Sequence, residues 1–125
     1  MRGRMMDWPL LISSMIEHAA ANHADAEIVS RTVEVPIHRT SWREVAGRAK
    51  RLAKALMMLE VELGDRVATL AWKGYRHVEL YYAISGIGAV CHTVNPRLFA
   101  DQLLYILNHA ADRVLFVDLT FVPLI

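Results

Sequence analysis

Residues 68–98 constrain the fold more than any other part of the chain. They contain an apolar run, a helix-length segment, a second apolar run and an Asn95-Pro96 pair, at which regular structure stops. Apolar residues at successive positions are typical of a strand buried on both faces of a parallel sheet. We therefore predict a βαβ unit, with strands over residues 67–72 and 89–94 around a helix over residues 75–84.

Two further elements extend this unit. Residues 100–110 form a helix-length segment, and residues 114–117 form a third short apolar run. Strands that alternate with helices are joined by right-handed crossovers, which place the strands parallel in one sheet. The predicted fold class is therefore α/β, with a mostly parallel sheet and flanking helices.

The first 40 residues predict a helix and a short β-hairpin before that sheet. Residues 6–22 carry apolar side chains at near-helical spacing, with Pro9 in the first turn. In residues 26–40, apolar side chains alternate loosely with polar ones, and Pro36 restricts a strand to a sheet edge or to its own start. We expect two short strands here, which include Ile28, Val29, Val33, Val35 and Ile37.

Residues 41–44 match the capping box that begins many helices. In this motif the side chains of Ser41 and Glu44 each accept a hydrogen bond from a backbone N–H group of the first turn. The helix that follows should bury one apolar stripe, made of Val45, Ala46, Ala49, Leu52, Ala53, Leu56 and Leu59. A run of basic residues in this helix could hold a phosphate or an acidic partner. These residues are better explained as the solvated face of the helix. That run consists of Arg48, Lys50, Arg51 and Lys54.

Composition excludes some classes of function. The 14 basic and 13 acidic side chains give a net charge of +1, so no bulk positive field attracts nucleic acid or an anionic membrane. The single cysteine, Cys91, cannot form an intramolecular disulfide, which fits a reducing compartment. A hydrophobic fraction of 54% is high for 125 residues and indicates apolar surface that packs against a partner.

No targeting or membrane segment is predicted. Arg2 and Arg4 precede an apolar run, but that run covers only residues 8–12 and ends at Ser13. A secretory signal has an apolar region of about 7–15 residues, and a membrane-spanning helix needs roughly 20. We therefore expect a soluble protein in the cytoplasm.

Gly86 and Gly88 form a Gly-x-Gly pair, which suggests dinucleotide binding. In that fingerprint the glycines follow a strand and begin a helix, because the helix N-terminus holds the pyrophosphate. Here they follow a predicted helix and precede a predicted strand. A helix C-terminus that packs closely on the sheet is the better explanation.

The histidines and the cysteine form no recognisable reactive site in the sequence. No two histidines are spaced i, i+4 on a predicted helix; the six are His18, His23, His38, His77, His92 and His109. There is no second cysteine for a zinc site. Cys91 and His92 are adjacent on a predicted strand, so their side chains should point to opposite faces rather than form a nucleophile–base pair.

Six polar or amphipathic residues accompany the βαβ unit: Tyr75, Arg76, Tyr81, Tyr82, Asn95 and Arg97. Arg76 is expected in the loop after a parallel strand, at the edge where α/β sheets bind ligands, and Arg97 follows the next strand. Either arginine could contact a ligand, or could hold loop carbonyls and a carboxylate. The tyrosines are expected in the core with a hydrogen-bonded hydroxyl.

Three segments resemble acyl-CoA synthetases of the adenylate-forming superfamily. They are SWREVAGRAKRLAKAL, LGDRVATLAWKGYRHVELYYAISGIGAVCHTVNPRL and NHAADRVLFVDLTFVPL. The second is the most specific, since a similar Gly-Ala-Val strand and Asn-Pro-Arg turn are usual in the family, and medium- to long-chain fatty-acid CoA ligases are the most similar. The sequence departs from the family at Glu60-Val61-Glu62, where a glycine is usual, and at Lys73, where Asn is frequent.

The resemblance implies that residues 1–125 are the N-terminal portion of an AMP-binding domain, without the catalytic core and C-terminal domain. The full-length enzyme would join a fatty acid to ATP with Mg²⁺, release pyrophosphate and pass the acyl group from AMP to CoA. The family's phosphate loop, Thr-Glu pair, ribose-binding Asp and catalytic lysine match no position here. We therefore predict no catalytic, cofactor-binding or metal-binding residue in this chain, and neither activity nor a cofactor for the chain alone.

Two other interpretations remain open. The chain could be a stand-alone, non-catalytic α/β module that binds a nucleotide or a protein partner, or it could be a structural assembly domain.

Strands buried on two faces need more cover than the predicted helices provide, and a sheet that ends at residue 117 has an unpaired edge. We therefore expect the chain to self-associate.

Overall fold

The structure, a computed structural model, describes Gly3 and residues 6–125, so Arg2 and Arg4 lie outside the described residues. Three of its strands form a parallel sheet and two form an antiparallel hairpin. In chain order the elements are α1 (Ile12–Asn22), β1 (Glu27–Ser30), β2 (His38–Ser41), α2 (Trp42–Met58), β3 (Arg66–Leu70), α3 (Tyr75–Gly86), β4 (Val90–Thr93), α4 (Ala100–Ala110), β5 (Val114–Val117) and a 3-10 helix (Leu119–Leu124).

β3 is the central strand of the parallel sheet, whose order is β4-β3-β5. Val67 pairs with Cys91 on one side and with Val114 on the other. Residues 67–70 of β3 are fully buried, whereas β4 and β5 are only partly buried. The predicted parallel sheet is confirmed, but burial on both faces is confirmed for β3 alone.

Helices cover both faces of this sheet. On one face, α2 and α3 pack against β3 through Leu56 and Ile84. On the other face, α4 and the 3-10 helix pack through Leu103 and Phe121. The expectation that the helices are too few to cover both faces is therefore wrong, because the segment after β5 folds back as a 3-10 helix that the sequence did not predict.

The capping box at the start of α2 is confirmed. The Glu44 backbone N–H donates to Ser41 Oγ over 3.3 Å, and the Ser41 N–H donates to Glu44 Oε2 over 2.9 Å. The predicted apolar stripe of α2 is buried or partly buried except at Leu59, which is exposed.

α2 ends at Met58, and Glu60 then adopts a φ of 59°, a left-handed conformation that turns the chain away. Glycine adopts that conformation without strain, which explains why a glycine is usual here in the family that the sequence resembles.

The predicted helix over residues 6–22 begins later than expected, at Ile12. Pro9 disfavours helical backbone at Trp8, the residue before it. The chain stays irregular up to Leu11, and the side chains of Trp8 and Leu10 are exposed. Pro9 therefore precedes the helix and does not lie in its first turn.

The predicted hairpin is confirmed, with Ile28 of β1 opposite Thr40 of β2. However, Val33, Val35 and Ile37 lie in the loop between the strands and are exposed. A local turn replaces the predicted strand there, in which the Thr32 hydroxyl donates to the Val35 carbonyl over 2.8 Å and accepts from the Val35 N–H over 3.0 Å.

Gly86 and Gly88 end α3, as the sequence predicted. Gly86 is the last helical residue, and Gly88 adopts a φ of 78°. The N–H of Gly88 donates to the Ser85 carbonyl and that of Ala89 to the Ile84 carbonyl, each over 3.1 Å. These two hydrogen bonds satisfy carbonyls at the end of the helix, which is typical of a glycine-terminated helix.

Candidate functional site

A cleft of about 1460 Å³ lies at the carboxyl ends of the parallel strands. Residues 71–74, 93–97 and 116–118 line it from the sheet, where β3, β4 and β5 end. The wall on the other side comes from β1, from the loop that follows it, and from α2 and α3. Ligands of α/β proteins commonly bind at this edge of the sheet, so the cleft is the candidate functional site.

The lining of the cleft carries an excess of positive charge. Its basic side chains are Arg31, Arg48, Arg51, Lys73, Arg76 and Arg97, and its acidic ones are Glu34, Glu79 and Asp118. Two of the three carboxylates are paired with arginines of the same cleft. An excess of positive charge in a cleft raises the local concentration of anionic ligands, a property that the nearly neutral whole chain does not reveal.

Arg48 and Glu79 form an ion pair between α2 and α3. Arg48 Nε lies 2.6 Å from Glu79 Oε1, and the Glu79 side chain is 6% exposed whereas that of Arg48 is 49% exposed. The hydrogen bond to Glu79 raises the pKa of Arg48. Arg48, Lys50, Arg51 and Lys54 are all exposed, as predicted for the basic run of α2, but the sequence did not predict the ion pair of Arg48 with Glu79.

Arg76 lies in the first turn of α3 and not in the loop before it, because Gly74 already serves as the N-cap. Its guanidinium lies over the ring of Tyr75, 5.2 Å from the centroid, and its Nη1 donates to Glu34 Oε1 over 2.8 Å. The hydrogen bond to Glu34 raises the pKa of Arg76, and hydrogen bonds from the Glu34 backbone N–H and from Arg76 lower the pKa of Glu34. Tyr75 in turn stacks on His38 with ring centroids 3.9 Å apart.

His77 and Thr69 form a buried polar pair beneath the cleft. The Thr69 hydroxyl and His77 Nε2 are 2.9 Å apart, and burial lowers the pKa of His77. The ring of Tyr81 stacks on His77 but is itself exposed, so its predicted core position is wrong. Within residues 3 and 6–125, no tyrosine hydroxyl forms the hydrogen bond that the sequence predicted. The tyrosine rings instead contact other aromatic rings, as Tyr82 contacts Trp42.

Asn95 and Arg97 lie at the cleft margin that follows β4. Asn95 Oδ1 accepts a hydrogen bond from the Arg97 backbone N–H over 3.0 Å, which stabilises the turn locally. The fold thus places Arg76 and Arg97 at one cleft, from two separate connections. A ligand-contact role for either arginine stays a prediction.

Cys91 and His92 lie on different sides of β4. Cys91 packs into the cluster that contains Val67, and burial raises the pKa of its thiol to about 11. His92 Nδ1 instead lies 2.8 Å from Asp112 Oδ2. The sequence did not suggest this pair, because 20 residues separate its members and neither lies in a recognisable motif.

Two kinds of site are not found in the described part of the chain. Among residues 3 and 6–125, no three histidine, cysteine or acidic side chains are grouped in a way that could hold a metal ion. Over the same residues, no helix has both the length and the apolar character that crossing a membrane requires.

Comparison with known proteins gives three kinds of similarity. A family model described as AMP-binding enzyme matches residues 16–123. The chain is 56% identical over all 125 residues to a 3-methylmercaptopropionyl-CoA ligase of Ruegeria lacuscaerulensis, and 49% identical over 125 residues to a medium-chain-fatty-acid–CoA ligase of Ectopseudomonas oleovorans. It is 48% identical over 121 residues, 97% of the chain, to a long-chain-fatty-acid–CoA ligase of Thermus thermophilus. The chain spans only 22–23% of the length of these relatives.

Solved structures share the fold. A protein described as a putative long-chain-fatty-acid CoA ligase, from Rhodopseudomonas palustris, superposes with a TM-score of 0.80 at 30% identity over 92% of this chain and 28% of that one. The N-terminal domain of FACL13 from Mycobacterium tuberculosis superposes with a TM-score of 0.78 at 24% identity, over 91% of this chain and 28% of that one. This architecture therefore occurs in the N-terminal domains of adenylate-forming enzymes.

Proposed function

Because this chain belongs to the AMP-binding enzyme family, we propose that it is the N-terminal portion of an acid–thiol ligase that forms an acyl-CoA from a carboxylic acid, ATP and CoA. The observation that carries the proposal is 48–56% identity with three CoA ligases over at least 97% of the chain. Identity at this level along a whole segment is unusual between proteins of different chemistry, so the reaction class is the natural one to test.

We propose a fatty acid as the carboxylic substrate. The relatives are named for acids of different kinds, namely 3-methylmercaptopropionate, medium-chain and long-chain fatty acids. What these acids share is an unbranched chain that ends in a carboxylate. A linear acid is therefore the substrate class, and 3-methylmercaptopropionate is the competing candidate to a simple fatty acid.

The chain's own part in this reaction is structural and electrostatic. Its sheet, helices and hairpin line the cleft, and its cleft arginines attract anionic reactants before they bind. The catalytic core and C-terminal domain would come from the sequence that the relatives have beyond this segment, with ATP, CoA and Mg²⁺ as the cofactors of the whole enzyme. No described residues are grouped to hold Mg²⁺, so we assign no metal ligand here. A cytoplasmic location is part of the same proposal.

A chimeric enzyme tests the proposal directly. The segment of the Ectopseudomonas oleovorans medium-chain ligase that matches this chain would be replaced by residues 1–125, and acyl-CoA formation measured with octanoate, palmitate and 3-methylmercaptopropionate. We expect an active chimera, because this segment should build the same sheet. A matched chimera with Leu70→Asp, which places a charge in the core of β3, should be inactive. A chimera that is folded and monodisperse but inactive with every acid would contradict the proposal.

The alternative function is a stand-alone module that binds a nucleotide. It is favoured by one observation, that the chain alone builds a cleft with excess positive charge. Equilibrium dialysis of the isolated chain with ATP separates the two functions. Under our proposal the chain alone neither retains ATP nor releases pyrophosphate from palmitate, ATP and Mg²⁺, whereas stoichiometric retention of ATP would favour the module.

A further inference from the structure

The loop between β1 and β2 covers one side of the cleft, and we call its residues 31–37 the strap. Its first four residues line the cleft. Its two ends are fixed, since Ser30 pairs with His38 in the antiparallel hairpin. The strap therefore leaves the body of the protein and returns to it at one point, which is the geometry of a hinged flap.

The strap is internally rigid. Thr32 and Val35 are joined by three hydrogen bonds, which are the two of the Thr32 hydroxyl and one of 3.3 Å from the Thr32 N–H to the Val35 carbonyl. Pro36 follows this turn and restricts the backbone further. The strap is thus built to move as one body.

Little holds the strap against the rest of the protein. Its aliphatic side chains, Val33, Val35 and Ile37, are exposed, so burial of apolar surface contributes little to its position. Within residues 3 and 6–125, the contact of Glu34 with Arg76 is the only hydrogen bond or salt bridge from the strap to the body. Both partners are about half exposed, and surface ion pairs of this kind are weak.

The body holds Arg76 ready for this contact. The guanidinium lies over the ring of Tyr75, and Tyr75 stacks on His38 at the strap's hinge. This cation–π contact holds Arg76 through a residue of the body, independently of Glu34.

From these contacts we propose that the strap is a flap that opens and closes over the cleft, with the Glu34–Arg76 ion pair as its latch and Ser30 and His38 as its hinge. This inference does not depend on the proposed function, because it concerns access to the cleft whatever binds there. Release of the latch widens the cleft mouth on the side of α3, and closure narrows it.

Distance measurements between spin labels test the latch. Labels at Val33→Cys on the strap and Leu119→Cys on the body use two exposed positions, of which Val33 lines the cleft and Leu119 directly follows Asp118 of the cleft lining. Cys91→Ala removes the native thiol, and dilution with unlabelled chain removes distances between molecules. We expect one dominant distance in this background. Glu34→Gln should add a longer one, with the open fraction rising about 1.5- to 5-fold, the range for loss of an exposed ion pair.

The matched control is Glu27→Gln. It removes a pair with Arg39 of 2.6 Å and similar exposure in the same hairpin, but this pair joins β1 to β2 and does not reach α3. We expect it to leave the distances unchanged. Glu34→Arg and Arg76→Glu should each open the strap, and the two together should close it again. Unchanged distances in Glu34→Gln, equal broadening in Glu27→Gln, or failure of the charge swap to close the strap would overturn the proposal.

Discussion

Arg48 Nε of α2 lies 2.6 Å from Glu79 Oε1 of α3, and this pair spans the packing between the two helices. In the described part of the chain, the Glu79 carboxylate forms no other hydrogen bond. A buried carboxylate with one partner depends on that partner for its solvation. α3, whose first turn lines the cleft, is therefore held partly by Arg48, a residue that was predicted on a solvated helix face.

We expect Arg48→Met to lower the free energy of unfolding by about 1–3 kcal/mol, because it leaves a buried carboxylate without a partner. The lower half of that range is expected, since Arg48 is itself half exposed. Urea denaturation measures the change. Arg51→Met, an exposed arginine of the same helix without an ion pair in the described residues, should shift stability by less than about 0.5 kcal/mol. Equal midpoints for the two variants would show that the pair contributes nothing.

Ser41→Ala should lower the free energy of unfolding by about 0.5–2 kcal/mol, the cost of losing a helix N-cap. The reason is that the Glu44 N–H loses its acceptor while α2 packs against α1, α3 and the sheet. The control is Ser13→Ala in α1, where the serine side chain forms no hydrogen bond within the described residues. A denaturation midpoint that Ser41→Ala leaves unmoved would mean that α2 does not depend on this cap.

The free energy of unfolding should decrease as the pH falls below the ordinary pKa of histidine, because of His77. Burial holds its pKa below the usual 6.5, against an opposing effect of the Asp118 charge. In the unfolded chain His77 takes up a proton near 6.5, so the unfolded state binds more protons and gains stability at lower pH. Urea midpoints at about pH 7.5 and about pH 5.5 span this window. His77→Gln should reduce the difference between them, whereas His109→Gln, at an exposed site, should not. An undiminished difference in His77→Gln would refute this assignment.

Cys91 should be almost unreactive in the folded protein. Burial moves the pKa of its thiol from 9.0 to about 11, which reduces the reactive thiolate by about 100-fold. Alkylation with iodoacetamide near neutral pH should therefore be at least that much slower in the folded chain than in urea. Leu119→Cys in a Cys91→Ala background provides an exposed thiol that should react at similar rates in both. Fast labelling of Cys91 without denaturant would show that the strand edge opens readily.

We expect the isolated chain to self-associate through the exposed face around α4. Phe99, Leu104 and Tyr105 are all largely exposed there, and exposed apolar surface tends to be buried by association. Sedimentation velocity at micromolar concentration is the measurement. Phe99→Ser with Leu104→Ser should reduce the sedimenting mass, whereas Met57→Ser with Met58→Ser, exposed at the end of α2, should not. A dispersed wild-type monomer would favour the stand-alone module.

Local signals predicted much of this fold. The bounds of α4 and β5 are those predicted, because each element is set by its own apolar spacing and is followed by a change in composition. Ser41 and Glu44 lie within one helical turn of each other, so the capping box needs no tertiary information. Gly88 is similar, since its left-handed backbone can be inferred from its position after a helix.

The remaining features depend on contacts between distant parts of the chain. Arg48 and Glu79 are 31 residues apart, and nothing near either of them indicates the other. Val33 and Val35 have strand propensity, but a side-chain hydrogen bond within a single turn competes successfully for the same backbone. The cleft itself arises only when three strand ends and the strap are brought together, so its charge excess could not be found from composition.

The order of the sheet also governs when it can be assembled. β3 lies between two strands that follow it in the chain, and Val67 pairs with Val114, which is 47 residues later (114 minus 67). At ribosomal rates of about 5–20 residues per second, roughly 2–10 s separate the synthesis of these partners. Closing so long a loop is entropically unfavourable until the flanking helices can pack, so contacts of this kind slow folding. The most deeply buried strand is thus the first of the three to be synthesised, and its pairing is completed only when β5 is available. Until then α2 and α3 cover just one of its two faces.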